Sequence, residues 1–309
     1  MKASLDSLQF DLKSWESNER IGNLVSSSVL KDGKRLRPIL TFLAADIWGV
    51  SHDQIAPFAR VVELVHAATL AHDDVIDQAD FRRGKPSINA IAGNKKAVLA
   101  GDYLLAYSLS EVASYQRPRL VTCLAEIISD LAEGEWIQIE NSDALTLTET
   151  DVDRVALKKT GSVLRWCSQA APLYLDIEGQ GITLSREFGE TLGLAFQMTD
   201  DILDFKRNDG SELADIKNDV INSVIFKVWS MKLDSESISP SSVRGKDLPN
   251  ELIEPALNSV RKRVHILLQR CKDILDEIEA YLPLDRQKSS SDPAKQALLN
   301  IIHYLDNRI

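Results

Sequence analysis

Cysteine is scarce in this chain. Three residues in 309, Cys123, Cys167 and Cys271, stand too far apart for a metal-binding or disulfide spacing. That excludes a cysteine-stapled secreted scaffold and points to a reducing, cytoplasmic setting with small buried thiols. Aromatics make up only 6% of the chain, with 14 Gly and 10 Pro, too few for a β-sandwich or a Pro/Gly-rich disordered tail. A basic surplus is missing as well: 36 Lys and Arg stand against 46 Asp and Glu, a net charge of −10. Binding to nucleic-acid phosphates needs a basic surface, so that class is excluded. Long apolar runs are absent. The most apolar stretch, 61–71, is interrupted by Glu63 and His66 and runs into His72-Asp73-Asp74, too short and too polar to span a bilayer. The opening MKASLDSLQFDLKSW alternates apolar with charged or polar positions and has no signal-peptide core. No basic amphipathic segment argues for a membrane anchor.

What the chain does have is 44% hydrophobic and 27% charged residues in a helical rhythm. Apolar residues three and four apart predict helices over 30–48, 55–76, 97–112, 120–139, 152–175, 188–205, 220–231 and 252–282. Ser51, Thr148 with Asp151, and Ser185 are suited to accept bonds from free N–H groups at helix starts. Breaks are expected at Gly33, Pro57, Gly84, Pro86, Gly93 and over 233–242, and a loop over 288–292 leads to a last helix. The expected class is all-α, in one domain spanning 1–309.

Within this pattern Asp73, Asp74 and Asp77 form a DDxxD unit at the end of an apolar helix. Positions i and i+4 share a helix face, so Asp73 and Asp77 point the same way. Acids at a helix C-terminus oppose the macrodipole and repel one another unless a cation offsets both. A solvated acidic helix end is the plainer explanation of one such motif. Asp200, Asp201 and Asp204 repeat the spacing after a second apolar run, which argues against it. Mg²⁺ takes oxygen ligands and is typically held by one or two carboxylates together with substrate phosphates, so the pair suggests a diphosphate clamp. Cations for the phosphates stand at Arg82-Arg83-Gly84-Lys85 and in Gly33-Lys34-Arg35-Leu36-Arg37-Pro38. His66, on another helix face from Asp73, is by default a partly buried, satisfied histidine.

The run GKRLRP, ELVHAATLAHDDVID, RRGKPSIN, GNKKAVLAGDYLL, AEGEWIQ, KKTG and FQMTDDILD, in that order, resembles the trans-isoprenyl diphosphate synthase family over most of the chain. The likeness is to its medium- and long-chain members, such as octaprenyl and heptaprenyl diphosphate synthases. The resemblance implies a bundle of mostly antiparallel helices around a central cavity, a homodimer, and Mg²⁺-dependent head-to-tail condensation of isopentenyl diphosphate with an allylic diphosphate. Carried onto this chain, it makes Asp73, Asp77 and Asp200 the principal ligands of Mg²⁺, three ions with bound diphosphate, supported by Asp74, Asp201 and Asp204. Arg82 and Lys159, with Thr160 and Gln197 nearby, match the allylic diphosphate site; Lys34, Arg37, His66 and Arg83 match the isopentenyl diphosphate pocket.

After Asp204 the chain departs from the family pattern. Asp215 matches an expected aspartate, but Asp219-Val220 stands where the family has a second glycine-lysine pair, and Val224 replaces a proline. The lost lysine leaves three expectations: Lys206 or Lys217 takes its place, turnover is slow, or a partner subunit contributes.

Beneath Asp73, helical steps place Thr69, Val65, Val62 and Phe58 on one face. Short-chain relatives carry an aromatic four or five positions before the motif, where this chain has Thr69 and Ala68. The first bulky residue, Phe58, is fifteen positions back, roughly 22 Å at about 1.5 Å per residue. A product of thirty carbons or more is expected. The alternatives are a shorter, geranylgeranyl-like product and a weakly active or non-catalytic subunit. A class I terpene cyclase is disfavoured by the second DDxxD and by GKRLRP; a head-to-head synthase is disfavoured by GKRLRP and the RRG segment.

Overall fold

The computed structural model describes residues 5, 8, 21, 22, 24, 25, 35–82, 84–142, 147–206, 221–235, 248–283 and 292–309. Among these the chain is helical almost throughout, as the periodicity requires. In order come α1 (Leu36–Trp48), α2 (His52–Ile76), a short hairpin of β1 (Phe81–Arg82) and β2 (Lys85–Pro86), α3 (Ile88–Ala92), α4 (Asn94–Ala113) and α5 (Pro118–Ser142). They are followed by α6 (Glu149–Ala156), a π-helical turn (Leu157–Gly161), α7 (Ser162–Tyr174), α8 (Gln180–Lys206), α9 (Ser223–Ser235), α10 (Asn250–Tyr281) and α11 (Pro293–Asp306). No helix among the described residues is long and apolar enough to cross a membrane.

The helix starts follow local chemistry. At α2 the Gln54 side chain accepts from the Ser51 N–H (3.2 Å) and hydroxyl (2.8 Å). At α6 the Asp151 carboxylate accepts from the Thr148 N–H (2.9 Å), and Thr148 Oγ1 accepts from the Asp151 N–H (3.3 Å), a reciprocal box. Asp292 caps α11 by accepting from the Ala294 N–H, with Pro293 at the first helical position.

Three expectations need correction. Ser185 does not start a helix: α8 begins at Gln180, and Ser185 is buried inside it. Pro57 does not break the chain but lies inside α2. Its missing N–H forfeits one bond, which the long apolar face downstream outweighs. The run 152–175 is interrupted by the π-helical turn, where α6 gives way to α7.

The described chain forms two compact units. The first comprises 1–128 and 166–178, and the second 129–165 and 179–309. In the first, Leu64, Ala67 and Ala68 of α2 pack on Ala100 and Leu104 of α4, and Ala71 meets Ile88 and Ala97. Deeper along α2, Phe58 sits among Tyr115, Trp166 and Tyr174, with ring centroids at 4.8, 6.3 and 5.8 Å. The Trp166 indole donates to the Phe58 carbonyl at 3.0 Å. In the second unit α8 packs along α10 and against the π-helical turn. There two glycines let backbones touch: a Cβ on Gly193 would stand 2.5 Å from the Gly161 Cα. The three cysteines are buried thiols.

Candidate active site

In the first unit the acidic motif occupies the last turn of α2, where the Asp77 N–H closes on the Asp73 carbonyl at 2.8 Å. Asp73 is half-buried and Asp77 exposed, but Asp74, a third of a turn away, is fully buried. Its Oδ1 accepts from Arg82 Nε at 2.6 Å, and its Oδ2 is buried with no hydrogen-bond partner among the described residues. The chain is folded back to bring Arg82 there. Gln78 adopts a left-handed φ of 51°. The Ala79 carbonyl accepts from Ser87 Oγ (2.7 Å) and Asn89 Nδ2 (3.1 Å), and Asn89 Nδ2 also reaches the Asp74 carbonyl at 3.2 Å. Asn89 thereby ties the helix end to the turn, since the Asp74 carbonyl also accepts from the Ala79 N–H at 2.9 Å.

Below the motif, Thr69 is half-buried with its hydroxyl donating to the His66 carbonyl at 2.8 Å. Val65, Val62 and Phe58 are buried, whereas Ala68 belongs to the packing of α2 on α4. His66 is half-buried. Arg37, on α1, is half-buried with its field reaching the buried Cys167 thiol. Lys34 and Arg83 lie outside the described residues, as do Asp215, Lys217, Asp219, Val220 and the side chain of Lys206.

In the second unit Asp200, Asp201 and Asp204 occupy the end of α8. Asp200 and Asp204 are half-buried; Asp201 is buried. Asp201 Oδ1 accepts from Gln197 Nε2 (3.0 Å), and Oδ2 accepts from both the Ser223 N–H (3.0 Å) and hydroxyl (2.7 Å) at the start of α9. Gln197 Oε1 in turn accepts from Thr160 Oγ1 at 2.8 Å. A continuous line therefore runs from the π-helical turn through α8 to α9. Lys159, beside Thr160, donates to Glu135 and, at 3.1 Å, to Gln138. Lys158 pairs with Asp130 and Glu133, each at 2.8 Å, and Arg165, buried, pairs with Asp130 (2.8 Å) and Glu190 (3.0 Å). Against the penalty of burial, the two carboxylates hold the Lys158 pKa above its usual value.

The structure thus groups Asp73, Asp74, Asp77, Arg82, Arg37 and His66 in one unit, and Asp200, Asp201, Asp204, Lys159, Thr160 and Gln197 in the other. Sequence reasoning did not pick out Asp130, Glu135, Gln138, Arg165 or Ser223. Glu135 and Gln138 do lie within AEGEWIQ, but nothing in that run says which lysines it will meet. Among the described residues no three His, Cys, Asp or Glu side chains converge at metal-ligand spacing. The carboxylates are not a preassembled cage. Two acids a turn apart beside a buried, unpartnered Asp74 Oδ2 suit a hydrated cation that completes its shell with waters and phosphate oxygens.

Comparison with known proteins bears on this geometry. The family model "Polyprenyl synthetase" matches residues 18–241. An octaprenyl diphosphate synthase of Escherichia coli is 33% identical over 190 residues, 62% of this chain; the match spans only 58% of that protein's length. A prenyl transferase of Synechocystis is 31% identical over 292 residues, covering 90% of this chain and 86% of that one. The crystal structure of a decaprenyl diphosphate synthase from Rhodobacter capsulatus superposes with a TM-score of 0.82 at 26% identity, covering 100% of this chain and 96% of that one.

Proposed function

This chain belongs to the polyprenyl synthetase family, and from that premise we propose that it joins isopentenyl diphosphate head to tail to an allylic diphosphate, giving a trans-polyprenyl diphosphate of thirty carbons or more. The observation that carries the reading is a matched one: each DDxxD motif ends a helix, and each unit sets phosphate-type donors on fixed partners, Arg82 on Asp74 in one and Lys159, Thr160 and Gln197 in the other. Relatives named octaprenyl and decaprenyl diphosphate synthase support the product length, as does the lack of an aromatic at Thr69 or Ala68.

In this reading Asp73, Asp77 and Asp200 hold Mg²⁺, with Asp74, Asp201 and Asp204 in support and three ions per bound diphosphate. Bound Mg²⁺ would supply charge neutralisation to the departing diphosphate. Arg82 and Lys159, assisted by Thr160 and Gln197, hold the allylic diphosphate and meet the charge that grows as its C–O bond ionises. Lys34, Arg37, His66 and Arg83 hold isopentenyl diphosphate, whose double bond attacks the allylic cation. A proton leaves the carbon beside the new tertiary cation, its C–H electron pair closing the next double bond, and inorganic diphosphate departs. Apolar walls under the first motif keep water from the cation. The two units work as one catalytic domain, in a cytoplasmic homodimer.

The test is to incubate the purified chain with Mg²⁺, labelled isopentenyl diphosphate and farnesyl diphosphate, and to size the dephosphorylated products. Products of thirty carbons or more are expected; a short product would discard the chain-length reading and keep the enzyme. A second reading, a non-catalytic subunit, is favoured by Asp219-Val220 standing in place of glycine-lysine. No incorporation with any allylic primer would put it first.

A further inference from the structure

We infer that Glu135 and Gln138 are positioning residues that aim the ammonium of Lys159 at the allylic diphosphate; the inference rests on the role given to Lys159 above. Lys159 lies in the π-helical turn and reaches α5, where Nζ donates to Glu135 Oε2 and, at 3.1 Å, to Gln138 Oε1. Those acceptors stand three residues apart, on one face of α5. An ammonium has three N–H donors and no acceptor. Two fixed acceptors therefore leave one N–H, and its direction is set.

The neighbouring lysine shows that this is a sorted arrangement. A Cβ on Gly134 would stand 2.8 Å from the Lys159 Cγ and 3.0 Å from the Lys158 Cβ, so both stems pass close over this glycine between Glu133 and Glu135. Lys158 goes to two carboxylates, Asp130 and Glu133, which use its charge for structure. Lys159 goes to one carboxylate and one neutral amide, so its charge is less compensated and stays available to an anion. Its side chain keeps 29% of its exposure where Lys158 keeps 16%. The next residue, Thr160, is tied to Gln197, which holds the register of the turn.

The test titrates inorganic diphosphate, with Mg²⁺ present, into the full chain by calorimetry. The proteins are wild type, Lys159→Ala, Glu135→Gln, Gln138→Ala and the double variant Glu135→Gln/Lys159→Ala; urea midpoints check folding and steady-state assays give KM for the allylic substrate. Lys159→Ala is expected to weaken diphosphate roughly tenfold, as for loss of one charge-assisted bond. Glu135→Gln and Gln138→Ala are each expected to weaken it about threefold or more and to raise the allylic KM more than they lower kcat. In the Lys159→Ala background, Glu135→Gln should add nothing. Tighter binding by Glu135→Gln would make Glu135 a competitor for Lys159 and overturn the inference. So would wild-type binding by both positioning variants beside a weakened Lys159→Ala. Unchanged binding by Lys159→Ala would sink the role of Lys159 itself, and the inference with it.

Discussion

Asp74 and Asp201 are each the second acid of a DDxxD run, and both are buried while the first acids beside them are half-buried. That inward turn follows from helical spacing, since a residue next to an outward-facing position is rotated about a third of a turn. What spacing does not reveal is the partner each acid meets: Arg82, eight residues on, for one, and Ser223, 22 residues on, for the other. In the proposed function Arg82 has two tasks. It offsets a fully buried carboxylate through Nε, and its five donors allow it to hold an anion as well. Arg82→Ala is expected to cost about 3 kcal/mol by stranding Asp74, seen as a lower urea midpoint at unchanged slope. Adding Asp74→Ala should recover part of that stability without recovering activity. Thr69 is the other residue whose consequence is sharp. Thr69→Phe places a ring under the first motif and is expected to shorten the product, read by chromatography of the dephosphorylated prenols; an unchanged length would sink the chain-length reading.

At the scale of elements, the helices were legible because their apolar rows recur at three and four residues, and the capping pairs at Ser51 and Thr148 because their chemistry is local. The π-helical turn was not: an i→i+5 turn keeps the composition of a helix, and only its packing marks it. Gly161 and Gly193 are that packing. Gly193→Ala would push α8 from the turn, at an overpacking cost of about 1–3 kcal/mol. It would also spread Thr160 from Gln197, one turn further along α8. The expected result is a lower melting temperature together with a raised KM for the allylic substrate. The Thr148 cap makes a prediction in pH. The hydroxyl and N–H of Thr148 lower the Asp151 pKa from its ordinary 3.8. A depressed carboxylate pKa stabilises the fold above the ordinary value and loses that contribution as pH falls through the folded one. Thr148→Ala is expected to cost about 1 kcal/mol at pH 7, and the gap to wild type should narrow at pH 3, measured by urea unfolding at both.

For the whole molecule, class and charge were legible from composition, but the division into units was not. Two of the three boundaries, 128–129 and 165–166, fall inside α5 and α7, where no Gly-, Pro- or Ser-rich linker marks them; the third, 178–179, lies in the turn before α8. A net charge of −10 sets the molecule against the negative potential of an anionic bilayer. In low salt, with no prenyl product present, the chain should stay in the supernatant when phosphatidylserine vesicles are sedimented; co-sedimentation would reveal an attraction the charge balance does not supply. The buried cysteines are distributed so that each unit carries its own clock. Cys123 and Cys167 belong to the first unit and Cys271 to the second, and burial pushes the Cys167 and Cys271 thiols up to about 12. At pH 8 roughly one such thiol in ten thousand is a thiolate, the reactive form. Alkylation of the native chain therefore waits on opening, and the order in which iodoacetamide marks Cys167 and Cys271 reports which unit opens first.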